Sequence, residues 1–128
     1  MPRTTQKISE KTLHRQVCEY IKKAYPKVIF NTDMAGIKLS IGQAKQVKNL
    51  RSSNAFPDIV IYKSVGFIHG LFLELKSETP YKLTGELKKD KHLKEQQEMI
   101  DKLNGLGYLA FFAWEFQQAK MIIDSYLK

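Results

Sequence analysis

The chain has 128 residues and a formal net charge of +8, with 21 Lys and Arg against 13 Asp and Glu. That length serves one hydrophobic core rather than two, and 43% hydrophobic with 27% charged residues excludes both a disordered polyelectrolyte and a lipid-embedded chain. The longest apolar runs, such as 109–114, fall far short of the roughly 20 residues that cross a bilayer, and the single Cys18 excludes an internal disulfide or a cysteine metal cluster.

In chain order, residues 1–8 are polar and expected to be a flexible N-terminus, with one domain over 9–128. Ser9 is suited to cap a helix from Glu10, in which Leu13, Val17, Tyr20, Ile21 and Ala24 recur at helical spacing until Pro26 stops it. Glu10, three residues before Leu13 and seven before Val17, is expected on the inward side. Residues 28–32 read as a short strand, and 43–50 as a helix or an ordered loop. Residues 58–62, rich in β-branched side chains, predict a strand; a turn at 64–66 leads to a second strand over 69–76, close enough to form a hairpin. Residues 77–90 hold Pro80, Gly85 and many charges and read as loop. A helix follows with Leu93, Gln96, Ile100 and Leu103 on one face, ended by Gly105 and Gly107. Residues 108–114 are apolar nearly throughout and predict a central strand, and 116–127 close the chain as a helix. The fold class is therefore α/β, a central mixed sheet flanked by helices, with a βαβ crossover before the last strand.

Chemistry concentrates in two stretches. Pro57 is a natural residue just before a strand, so Asp58 stands where the chain enters the sheet. Period two sends Phe72, Glu74 and Lys76 to one face of their strand and Leu71, Leu73 and Leu75 to the other. Two charges in an apolar strand are costly to bury without compensation. A hard cation between Asp58 and Glu74 would supply it, with the Leu75 carbonyl as a further oxygen ligand and Lys76 alongside. Carboxylate oxygens suit Mg²⁺, and such an ion with a neighbouring ammonium is what phosphodiester hydrolysis requires. Periodicity leaves the plainer reading open too, in which Asp58 is a turn residue and Glu74 with Lys76 a surface pair.

The combination of Pro57-Asp58 with Glu74-Leu75-Lys76 resembles the signature of the PD-(D/E)XK nucleases, and within them the VRR-NUC family. Ser9-Glu10 before Leu13 and Val17 resembles that family's first-helix acid. Glu95-Gln96 before Leu103 and Gly107 resembles its Gln on the helix after the catalytic strand, and Gly36 with Lys38 falls where the family approaches its Pro-Asp motif. The resemblance spans about residues 9–113 and implies a restriction-endonuclease-like core. It also implies a Mg²⁺-dependent endonuclease, with Mn²⁺ able to substitute, acting on DNA phosphodiester bonds, including those at forks, flaps or four-way junctions. Asp58, Glu74 and Glu10 become metal-holding acids, Lys76 the catalytic lysine, and Gln96 a residue bonding near the centre, to Lys76, a phosphate or water. The alternative is a nuclease fold that binds nucleic acid without cutting it.

Basic residues suggest where a polyanion lies. Between 34 and 57 stand Lys38, Lys45, Lys48 and Arg51 with no acid among them, and Lys82 and Lys88 border the other side. No sequence-reading module is present, so backbone or shape should be read in preference to bases. His14, His69 and His92 lack metal-ligand spacing, and His92 is expected to be exposed. An exposed subset of the aromatic residues would support a homodimer or higher homo-oligomer. No membrane partner and a cytoplasmic location, in a bacterium or a phage-infected host cell, complete the expectation.

Overall fold

The computed structural model describes residues 8–33, 40–53 and 55–128. Gly36, Lys38 and nearly all of the expected flexible N-terminus lie outside the described residues. Helix α1, Glu10–Ala24, starts where predicted: Ser9 Oγ accepts from the Thr12 N–H at 3.1 Å, satisfying one of the unpaired first-turn donors. Leu13, Val17 and Ile21 make its buried stripe. Glu10 is exposed rather than inward, because the first turn of α1 extends past the covered part of that stripe.

Strand β1, Phe30–Thr32, is followed by α2, Ile41–Leu50, which resolves the helix-or-loop ambiguity in favour of helix. A capping box between Ser40 and Gln43 fixes its start, with Ser40 Oγ accepting from the Gln43 N–H and Gln43 Oε1 from the Ser40 N–H, both at 3.1 Å. None of its residues is buried, so local capping and helix propensity carry it more than packing does.

Strands β2, Ile59–Ile61, and β3, Leu71–Leu75, form the predicted antiparallel hairpin, with Ile59 opposite Leu73 and Ile61 opposite Leu71. Helix α3, Lys91–Gly105, crosses to β4, Leu109–Ala113, which runs parallel to β3. Gly107 makes the return possible: its φ of +96° is one that side chains resist, and a Cβ there would stand 2.7 Å from the His69 ring. Helix α4, Phe116–Leu127, closes the chain.

The sheet order is β1-β2-β3-β4, which makes β4 an edge strand, not the central one its composition predicts. Its apolarity has another source. Leu71, Leu73, Leu75, Ile59 and Ile61 pack with Leu13, Val17, Ile21, Ala119 and Ile123 of α1 and α4 on one face, while Ala110 and Phe112 pack with Ile100 and Leu103 of α3 on the other. One face of β4 is covered by α3 and the other in part, with Ala113 buried and Phe111 40% exposed, so its apolarity follows what its faces meet and not two hydrogen-bonded neighbours. The architecture is thus a mixed four-stranded sheet flanked by helices, a restriction-endonuclease-like core. Among the described residues no helix is long and apolar enough to cross a membrane.

Candidate active site

Continuing the β2–β3 register by one residue places Asp58 directly opposite Glu74, and continuing β1–β2 places Asp33 opposite Asp58, where the Asp33 N–H donates to the Asp58 carbonyl at 2.7 Å. Three carboxylates therefore lie in a row across three strands. The first is neutralised by Arg51, whose guanidinium pairs with Asp33 and sits 5.3 Å from the Phe56 ring centre. Arg51, expected from the sequence among the basic residues that face a polyanion, pairs instead with Asp33, an acid that no local pattern singles out. The pair is largely covered, with side chains 19% and 11% exposed, so this guanidinium is engaged within the protein.

Asp58 Oδ2 accepts from the Leu75 N–H at 2.7 Å. That bond shows that the Leu75 amide points toward β2, and in a strand the carbonyl of the same residue points the same way. The residue across from Leu75 in the register is Pro57, which has no N–H to donate to it. The oxygen proposed from sequence as a ligand thus lacks its ladder donor for a definite covalent reason.

Glu74 is 5% exposed and Gln96 6%. Gln96 Nε2 donates to Glu74 Oε1 at 2.5 Å, so the glutamine meets the carboxylate itself rather than Lys76. Glu74 Oε2 and Gln96 Oε1 are buried without a partner, an expensive arrangement for two acceptors unless a ligand completes it. Burial raises the Glu74 carboxyl most, the charge of Asp58 raises it further, and the Lys76 ammonium opposes both; the result is about 9. Asp58 is also raised, chiefly by burial, against the Leu75 N–H it accepts. Two neighbouring carboxyls held in this way resist ionising together and favour a cation between them.

Glu10 stands further off. Its charge is felt at both carboxyls, but it is exposed in the first turn of α1. His14, one turn along, acts on Asp58 with the opposite sign, and its Nε2 is buried without a partner. Among the described residues no three His, Cys, Asp or Glu side chains are grouped to hold a metal. The side-chain donors are therefore two carboxylates, a set that suits Mg²⁺, which is commonly held by one or two carboxylates together with waters and substrate phosphate oxygens. The buried, unpartnered Glu74 Oε2 fits such an ion.

Of the basic candidates, Lys45 and Lys48 are exposed on α2 and Lys82 on the loop before α3, while Lys88 Nζ is 3.8 Å from Glu78. An apolar depression of about 410 Å³, lined by Leu71, Leu109, Phe111 and Met121 among others, lies at the Leu71 end of β3, away from the carboxylates at its Leu75 end. Among the described residues no charged side chain lines it.

No family model matches the sequence, and no curated protein matches it. Among solved structures, a protein described as "VRR_NUC domain protein" is similar over 95% of this chain and 90% of its own, with a TM-score of 0.65 and 19% identity. The two share a fold.

Proposed function

We propose that this chain is a member of the VRR-NUC family and a Mg²⁺-dependent endonuclease that hydrolyses DNA phosphodiester bonds. The observation that carries the reading is the pairing of Asp58 with Glu74 across β2 and β3, with a buried unpartnered oxygen on Glu74 and the Leu75 carbonyl deprived of its ladder donor. Mg²⁺ or Mn²⁺ held by Asp58, Glu74 and that carbonyl would polarise the phosphoryl group and neutralise charge that develops on it. Glu10 would assist through water from its exposed position. Lys76 brings an ammonium to the same end of β3, where it holds a phosphate oxygen and orients the attacking water. Water oxygen bonds to phosphorus, the P–O bond to one sugar breaks, and the departing oxygen leaves with a proton. Gln96 keeps Glu74 in place.

Lys45 and Lys48 on the acid-free helix α2, with Lys38 before it, would track the DNA backbone on one side, and Lys82 and Lys88 on the other. Such contacts read charge and shape, which suits forks, flaps or four-way junctions better than a base sequence. A single domain over 9–128, a homodimer or larger homo-oligomer and a cytoplasmic setting belong to the same reading. One observation favours a rival, a nuclease fold that only binds DNA: among the described residues no three His, Cys, Asp or Glu side chains are grouped to hold a metal.

The deciding experiment incubates labelled duplex, single-stranded, forked and four-way-junction DNA with Mg²⁺ or Mn²⁺ and compares the native chain with Asp58→Ala and Lys76→Ala. The expected outcome is cleavage by the native chain, reduced at least about 100-fold in either variant, with binding retained. Undiminished cleavage in both purified variants would remove the mechanism, and salt-sensitive binding with no cleavage by any of the three would establish the rival.

A further inference from the structure

Gln96 and His92 lie one turn apart on α3, and Gln96 Nε2 is 3.2 Å from His92 Nε2 as well as 2.5 Å from Glu74 Oε1. An amide nitrogen has two hydrogens and no acceptor. Both contacts are satisfied together when His92 Nε2 is an acceptor, with the ring proton on Nδ1. With a cation bound Glu74 is ionised, and the opposite orientation of the amide would then turn Gln96 Oε1 toward it, oxygen against oxygen. The turn that carries His92 is itself fixed, since Asp90 caps α3 by accepting from the His92 and Leu93 N–H groups at 2.8 and 3.1 Å. With both hydrogens committed, Gln96 Oε1 and Glu74 Oε2 are left as the two buried acceptors without a protein partner.

We propose that His92 is a positioning residue: by accepting the second amide proton of Gln96 it fixes the orientation of that amide, and so leaves Glu74 Oε2 and Gln96 Oε1 facing a divalent cation and its water. This deepens the nuclease reading and rests on it. An exposed histidine at a helix start is ordinarily a solvated side chain; the distance to a buried amide that itself holds a buried carboxylate sets this one apart. Outer residues that orient a metal-holding group commonly change cation affinity by about 10- to 100-fold.

Two measurements test the assignment. In the ¹⁵N-labelled full chain, nuclear magnetic resonance with Mg²⁺ present should find the His92 ring protonated at Nδ1 and bare at Nε2; a proton on Nε2 would overturn the proposal. The second follows Mn²⁺ binding by calorimetry in His92→Leu, which keeps bulk without an acceptor, and His92→Gln, whose Oε1 reaches to about where Nε2 stood, after urea unfolding confirms that both are folded. Mn²⁺ affinity should fall about 10-fold in the leucine variant and recover to within about 3-fold of native in the glutamine variant. In cleavage, the Mg²⁺ needed for half-maximal rate should rise with KM for DNA unchanged. Equal affinity in all three chains, or an equal loss in both variants, would refute the proposal. If the native chain neither binds Mn²⁺ nor cleaves DNA, the nuclease reading fails instead, and the proton position on His92 still decides whether the ring orients Gln96.

Discussion

Replacing Glu74 by Gln should stabilise the protein while abolishing its chemistry. Glutamine has nearly the same shape and keeps a carbonyl oxygen for the Gln96 amide to donate to, so the substitution removes little but the ionisable group. In the native chain without metal, Glu74 titrates near 9 against an ordinary value of 4.5, so at pH 7 the folded chain holds a proton there that the unfolded chain has released. Because the folded pKa is the raised one, the native chain is at its relative best below pH 4.5 and loses stability as pH rises toward 9. At about 1.4 kcal/mol for each pH unit between 4.5 and 7, the cost at neutrality is about 3.5 kcal/mol, and the variant does not bear it. For a chain of this length that corresponds to a rise in Tm of about 10 °C. Urea unfolding in EDTA, followed across this pH range, measures the difference directly. The gap should be small near pH 4.5 and widen steadily through neutrality. A gap independent of pH, or a variant less stable than native at pH 7, would refute the account of Glu74 as a strained buried carboxyl.

The same raised carboxyl must lose its proton to hold a cation, so Mn²⁺ binding at pH 7 should release about one proton, and affinity should climb with pH until about 9 is passed. Calorimetry in buffers of differing ionisation heat counts the proton, and a count of zero contradicts the coupling. Arg51→Ala leaves Asp33 covered and unpaired beside Asp58, so urea unfolding should show a loss of about 3 kcal/mol, where removal of a merely DNA-facing arginine would leave stability within about 0.5 kcal/mol. Asp124 accepts from the Tyr20 and Tyr25 hydroxyls at 2.5 and 2.6 Å, and these bonds hold its carboxyl down near 2. Its contribution is present above the unfolded value of about 3.9 and is lost as pH falls through about 2. Asp124→Asn should therefore cost about 1 to 2 kcal/mol at neutral pH, with the deficit closing between about pH 4 and pH 2 as acid unfolding is followed by circular dichroism.

Element identities were legible because each depends on local spacing. Leu13, Val17 and Ile21 give a helix its stripe, β-branched Ile59 to Ile61 give a strand, and Pro57 and Gly107 mark ends. The Asp58–Glu74 pair was legible too, since a proline before one acid and a lysine two residues after the other fix both at related strand ends. What escaped depends on register or on distant packing. Asp33 matters only because β1 pairs with β2 at one particular offset, and no local pattern announces that offset. Arg51 turned inward because that acid lay across from Asp58. The place of β4 at the sheet edge was hidden because apolar composition records what covers a strand's faces, not which strands border it. His92 has the sequence pattern of an ordinary surface histidine, and only its place beside Gln96, which donates to Glu74, sets it apart.

Pro57 brings a further constraint into view. Any other amino acid at that position would supply a hydrogen directed across at β3, allowing the hairpin to zip one rung further and engage the oxygen of Leu75. Reactivity at this sheet end would then owe as much to an atom left out of the backbone as to the acids placed beside it. Pro57→Ala, with every charged group intact, is the substitution that would silently close the door.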